Sequence, residues 1–174
     1  VVVALTLDEN GIPETSAGRI EIIKKIYSNA ERYGIQKKDI VIDALTMAVS
    51  SDTNAALATL QTVRAVRDEF GGNTVLGVSN ISFGLPDREF VTSSFFTLAM
   101  QNGLGAAIMN PLSMKMMKAW RCFCLLAGKD KDCLNYIDFA QKFDEKKEAE
   151  RKALLQNAGA PGENVKAGEQ AEHK

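Results

Sequence analysis

Asp39-Ile40-Val41-Ile42-Asp43-Ala44-Leu45 is a short apolar run interrupted by a carboxylate, and it precedes Ser51–Phe70, in which Leu60, Val63, Val66 and Phe70 share one helical face. A run of this length and apolarity reads as a buried strand, and the amphipathic stretch after it, closed by Gly71-Gly72, reads as its crossover helix. The same unit recurs on both sides. Upstream, Val1–Leu7 is an uninterrupted apolar stretch expected to form a parallel strand buried on both faces. A turn containing Asn10-Gly11 follows it, and Thr15 or Ser16 is placed to cap a helix that presents Ile20, Ile23, Tyr27 and Ala30 and stops at Gly34. Downstream come a third strand at Thr74–Ser79, a loop through Pro86, a helix from about Asp87 to Gln101, a fourth strand at Ala106–Met109 and a Met-rich helix to about Ala127. Parallel strands need long crossovers, usually helical, so the chain is α/β with a parallel sheet. Four βα units amount to half of a (β/α)8 barrel, and periodicity alone leaves a small open α/β sheet as the alternative.

The organisation expected is a half-barrel over 1–128, an additional helix over 129–143, and a charged helix with a flexible tail or linker over 144–174. A strand at the first residue suggests a chain that belongs beside something longer. At 174 residues and 45% hydrophobic content there is enough material for a packed core without metals or disulfides. With 21 Lys+Arg against 22 Asp+Glu there is no basic excess, which argues against nucleic acid as a partner. No apolar run approaches the roughly 20 residues that span a bilayer, and no signal peptide is visible, so no membrane is expected and the cytoplasm is the expected compartment. Cys122, Cys124 and Cys133 form no C-x-x-C and read as reduced, structural thiols. The single histidine, His173, stands in the polar tail, which argues against His-based nucleophile pairs and zinc sites.

In parallel α/β folds ligands sit beyond the carboxyl ends of the strands. Those ends offer Thr6 and Asp8, Asp43 and Thr46, Ser79, Asn80 and Ser82, and Asn110. Asp43 is the most conspicuous, because a carboxylate set in an apolar run is costly unless donors satisfy it. Backbone N–H groups and a bound ligand are both adequate donors, and the two readings stand side by side. Asn80 serves equally to stabilise a loop. The small residues around it, Gly77, Ser79, Ser82 and Gly84, also permit a flat ligand to approach the backbone. Asn110 before Pro111 is a turn residue or a ligand contact, and Met114, Met116 and Met117 read as core filler. No G-x-x-x-x-G-K-[ST] or G-x-G-x-x-G is present, and no Lys or Arg stands at the last two strand ends to anchor a phosphate.

The segment Leu76-Gly77-Val78-Ser79-Asn80-Ile81-Ser82-Phe83-Gly84-Leu85-Pro86-Asp87-Arg88, preceded by Ile40–Leu45 and followed by Ala106-Ala107-Ile108-Met109-Asn110, resembles the pterin-binding methyltransferases. That family comprises methyltetrahydrofolate:corrinoid protein methyltransferases and the folate domain of cobalamin-dependent methionine synthase. Leu5-Thr6-Leu7 and Gly11-Ile12-Pro13 fit it too, and the resemblance runs to about residue 140. It implies a (β/α)8 barrel of which this chain supplies the last four strands, the N-terminal half being a partner. It places Asp43 at the family's pterin-binding aspartate and Asn80 at the amide near N5 of the folate. Ala44 stands where a proline often follows that aspartate.

The resemblance further implies methyl transfer from 5-methyltetrahydrofolate to a corrinoid, with Asn80 catalytic and Asp43, Ser79, Ser82 and Asn110 binding substrate. Cobalamin would come from a corrinoid-binding protein or domain, since the related corrinoid domains place a histidine under cobalt. The fragment alone is expected to be inactive, and its open strand edges favour a homo-oligomer. The alternatives are a dihydropteroate synthase-like pterin enzyme and a non-catalytic half-barrel that docks a corrinoid protein.

Overall fold

The computed structural model describes residues 1–158; His173 and the remainder of the expected tail lie outside the described residues. The strands are β1 (Val2–Leu5), β2 (Ile40–Asp43), β3 (Asn73–Gly77) and β4 (Ala106–Ile108), and the helices are α1 (Ser16–Arg32), α2 (Ala55–Asp68), α3 (Arg88–Gln101), α4 (Met114–Leu126) and α5 (Leu134–Ala158). All strand pairs are parallel, and the sheet order is β1-β2-β3-β4.

Side chains alternate between the two faces of a strand, so the register says which face the helices cover. Ala4, Ile42 and Thr74 form one row across the sheet, and Leu76 lies beside Ala107. Ile40 and Ile42 pack with Ile23 and Ala30 of α1 and Val66 of α2, and Leu76 packs with Leu60, Val63, Phe95, Phe96 and Met116 from α2, α3 and α4. Helices α1 to α4 therefore lie on a single face. An open doubly wound sheet would reverse its strand order and place helices on both faces. Sequential order with one covered face is the arrangement of half a (β/α)8 barrel, which settles what periodicity left open.

The opposite row, Leu5-Asp43-Val75-Ala106, faces away from the helices. Here the expectation of a first strand buried on both faces is corrected. Val3 is 54% exposed, Leu5 45% and, on β4, Ile108 66%. The apolar pattern of β1 suits a strand covered on both sides, but within the described residues only Ala4, on the helix side, is half-buried, and Val2 on that same side is 48% exposed.

Three element limits differ from the sequence reading for local reasons. Helix α2 starts at Ala55 rather than Ser51, because 51–54 form a turn in which the Asp52 carboxylate accepts the Asn54 N–H at 2.8 Å. Strand β3 stops at Gly77, and Val78–Ser82 coil into a 3₁₀ turn whose buried Val78 and Ile81 mimic strand residues in sequence. Residues 134–158 form one continuous helix, and chain contacts divide the molecule between Asp130 and Lys131. The cysteines are free; Cys122 and Cys124 are half-buried on α4, whereas Cys133 is exposed, so the structural-thiol reading fails there.

Candidate functional site at the strand ends

Asp43 closes β2 on the uncovered face. Its Oδ1 accepts the Leu45 N–H at 2.9 Å, so one of the two readings, backbone donation to the carboxylate, is present in the chain by itself. Burial pushes the carboxyl above the ordinary carboxylate range, and the Leu45 N–H pulls partly the other way. Leu45 makes that bond from the left-handed region at φ 56°, which costs a non-glycine residue about 1–2 kcal/mol.

Against Leu45 lies a side chain that the strand ends themselves do not contribute. Arg19 of α1 is 1% exposed. Its Nε donates to Pro13 O at 2.9 Å, and its Nη1 lies 2.8 Å from Ala44 O, 2.9 Å from Leu45 O and 3.0 Å from Thr59 Oγ1. Thr59 is also buried and donates to Leu45 O at 3.2 Å. Burial lowers the Arg19 pKa while the negative field of Asp52 opposes the shift; a guanidinium nonetheless stays charged.

The loop after β3 carries Ser79 and Asn80, both exposed. Gly77 explains where the Asn80 amide sits. A Cβ built on Gly77, which by alternation points to the uncovered face, would find Asn80 Nδ2 at 3.5 Å as its near neighbour. The amide thus folds back over the end of β3 on the side that bears Asp43. From strand spacing and rise, Gly77 lies about 8 Å from Asp43 along the sheet, a span comparable to a fused bicyclic ring.

Ser82 is placed otherwise. It is fully buried, its Oγ donates to Ser79 O at 3.2 Å, shares a bond with Thr92 Oγ1 at 2.8 Å and accepts from Arg88 Nε at 3.2 Å. Its hydroxyl fastens the loop. Asn110 is exposed, and its Oδ1 accepts the Leu112 N–H at 2.9 Å, as a residue turning the chain around Pro111 would. Ser79, Ser82 and Asn110 do line one cleft of about 270 Å³ with Arg88, Glu89 and Ser113, but Asp43 and Asn80 are not among its walls. A larger groove of about 790 Å³ runs beside β4 and α4 and contains none of the five.

Two further features stand at these strand ends. Arg88, from the first turn of α3, folds back to donate from Nη2 to Ser79 O at 2.9 Å, so a cation does stand at the end of β3, contrary to the survey by position. The hydroxyls of Thr6 and Thr46, at the ends of β1 and β2, are buried without a hydrogen-bond partner. Buried polar atoms are nearly always satisfied in a finished protein, so these two mark places where a ligand, a water or another segment supplies the bond. Among the described residues no cluster of three metal-ligating side chains occurs, and no helix is long and apolar enough to cross a membrane.

A half-barrel whose polar groups gather at the strand ends matches one family closely. The profile described as "Pterin binding enzyme" covers residues 5–110, more than half of the sequence, and the chain belongs to that family. Among its relatives, the methylcorrinoid:tetrahydrofolate methyltransferase of Eubacterium limosum is 34% identical over 136 residues, covering 78% of this chain and 50% of that protein. The methionine synthases of Mycobacterium tuberculosis and Mycobacterium leprae are each 31% identical over 117 residues, or 63% of this chain and 10% of theirs. The chain thus spans half the length of the first relative and a tenth of the other two.

Proposed function

We propose that this chain is the C-terminal half of a pterin-binding barrel that moves a methyl group between a tetrahydrofolate and a corrinoid carried by a partner protein or domain. The observation that carries the proposal is the half-buried carboxylate of Asp43 on the uncovered face of a sheet belonging to the pterin-binding family. A pterin shows an N3–H and a 2-amino group side by side, and a carboxylate accepts both as a bidentate pair. One oxygen of Asp43 keeps a lone pair beyond its bond to Leu45, and the other retains its full accepting capacity toward the ring.

The methyl group is carried on N5. As the N5–carbon bond breaks, N5 takes up a proton from solvent, and an amide at N5 stabilises the charge that changes there; Asn80 is the group assigned that work. Ser79 and Asn110 are assigned to substrate contacts at the rim, and Ser82 to keeping their loop in place. A corrinoid supplies the cobalt that accepts or surrenders the methyl group, so no side-chain nucleophile is required of this chain. The name of the E. limosum relative is written from methylcorrinoid to tetrahydrofolate, the reverse of the direction read from sequence. Both directions share one transition state, so the same residues serve either, and the partner's methyl-accepting strength sets the net flow.

The test is a methyl-transfer assay of the intact protein, with 5-methyltetrahydrofolate and a corrinoid protein, followed by the corrinoid absorbance. Transfer is expected, and Asn80→Ala is expected to slow it roughly 10²- to 10³-fold, the scale of one lost transition-state donor, with folate affinity retained. Equal rates for variant and parent would remove Asn80 from the mechanism, and no transfer in either direction would overturn the proposal.

A further inference from the structure

We propose that Arg19 is a positioning residue for pterin recognition: through the Ala44 and Leu45 carbonyls it holds Leu45 in its left-handed conformation, so that the Leu45 N–H aims the Asp43 carboxylate at the ring. The inference rests on the reading of Asp43 as the pterin-binding carboxylate.

Arg19 joins three parts of the chain distant in sequence. Its Nε ties the loop after β1 at Pro13, its Nη1 ties the loop after β2 at Ala44 and Leu45, and Thr59 of α2 bonds both Nη1 and Leu45 O. A buried guanidinium is expensive, and this one is met by carbonyl oxygens and a hydroxyl rather than by a carboxylate in contact. If its purpose were only to join α1 to β2, an apolar side chain of similar size would serve without that cost. What an apolar side chain does not do is fix the direction of two successive carbonyls. The peptide group carrying the Leu45 N–H has Ala44 O as its other end, and Leu45 O lies one peptide further on. Fixing both carbonyls at 2.8 and 2.9 Å therefore fixes the plane from which the N–H points at Asp43 Oδ1. Strain held by a surrounding network at a ligand-binding carboxylate is where pre-organisation is expected.

A lysine does not replace this arrangement. Its compact ammonium sits on a flexible stem and lacks the planar fork that reaches Pro13 on one side and Ala44 and Leu45 on the other. Loosening Leu45 withdraws the donor that lowers the Asp43 pKa, so that pKa rises further. On acidification the carboxylate then gains its proton sooner, and pterin binding is lost at a less acidic pH than in the parent. The groups acting on Asp43 are its burial and the Leu45 N–H, and the charge acting on Arg19 is Asp52.

The experiment titrates 5-methyltetrahydrofolate against the intact protein as a function of pH for the parent, Arg19→Lys, Asp43→Asn and the double variant. Arg19→Lys is expected to weaken binding about tenfold at neutral pH, the scale of one hydrogen bond to a charged group. It is also expected to move the acid midpoint of binding upward, and to add little once Asp43 is Asn. The same penalty in both Asp43 backgrounds, or an unmoved midpoint, would overturn the role of Arg19. Full affinity in Asp43→Asn would instead remove the Asp43 reading, whatever Arg19 does. Should Arg19→Lys not fold, Thr59→Val removes the hydroxyl shared by Arg19 and Leu45 with little change of shape. It is then expected to move the midpoint in the same direction by a smaller step, and an unmoved midpoint there overturns the proposal equally.

Discussion

Asp43 sets a stability cost against the binding role proposed for it. Its pKa is raised by burial, so the folded chain holds the proton more tightly than the unfolded chain does. Where a native acid has the higher pKa, the native state binds more protons, and stability falls as pH rises from the unfolded value through the folded one. Above the folded value the penalty is fully present, and below the unfolded value it is gone. Replacing Asp43 by Asn removes the charge, keeps an oxygen for the Leu45 N–H, and puts an N–H donor where the pterin brings donors of its own. The melting temperature of Asp43→Asn at pH 7 is therefore expected to equal or exceed that of the parent, with the gain shrinking as pH is lowered past the folded pKa. Its folate affinity is expected to fall at least tenfold, the loss of a hydrogen bond to a charged acceptor being about 1.5–3 kcal/mol. Thermal melts at two pH values and one titration check both halves. A variant that is less stable at pH 7 would make the carboxylate structural.

On the scale of an element, the end of β3 and its 3₁₀ turn show what composition conveys and what it conceals. The four strands and the helices α1 to α4 were readable because apolar spacing changes from continuous runs to a 3.6 period. The limits were not, because Val78 and Ile81 are as apolar as strand residues and are buried from a different backbone shape. Asp43 was readable as a polar residue in an apolar run. Arg19 was not, since a cation on a helix ordinarily lies at the surface, and its partners at Ala44, Leu45 and Thr59 are 25 to 40 residues away. Gly77 tests the reading of this element directly. Its φ of −77° suits any residue, and an added methyl would meet Asn80 Nδ2 at an ordinary 3.5 Å, so nothing in the chain itself demands glycine. A flat ligand lying between Asp43 and Asn80 does demand it. Gly77→Ala is expected to leave the melting temperature nearly unchanged while weakening folate binding roughly ten- to hundredfold, the 1–3 kcal/mol of an overpacked contact. Unaltered affinity would place the ring elsewhere.

For the whole molecule, the decisive feature is the sheet face that none of α1 to α4 covers. Val3, Leu5 and Ile108 are apolar and exposed on it, and Asp43 stands in the same row as Leu5. Exposed apolar patches of this kind mark contact surfaces, and β1 and β4 each leave one edge unpaired within the sheet. The chain spans half of its E. limosum relative, and a second four-stranded half would cover the face, pair both edges and bring walls to the space above Asp43 and Asn80. The 174-residue chain taken alone is therefore expected to self-associate at micromolar concentration in sedimentation velocity. Two contributions to that behaviour are separable. Leu5→Glu with Ile108→Glu places charge on the open face and leaves the backbone edges as they are, so loss of self-association would assign it to the face, and its persistence would assign it to the edges. A monodisperse monomer for the unaltered chain would contradict both, because it would mean that water tolerates this face and these edges, and the case for a covering half would then rest on length alone.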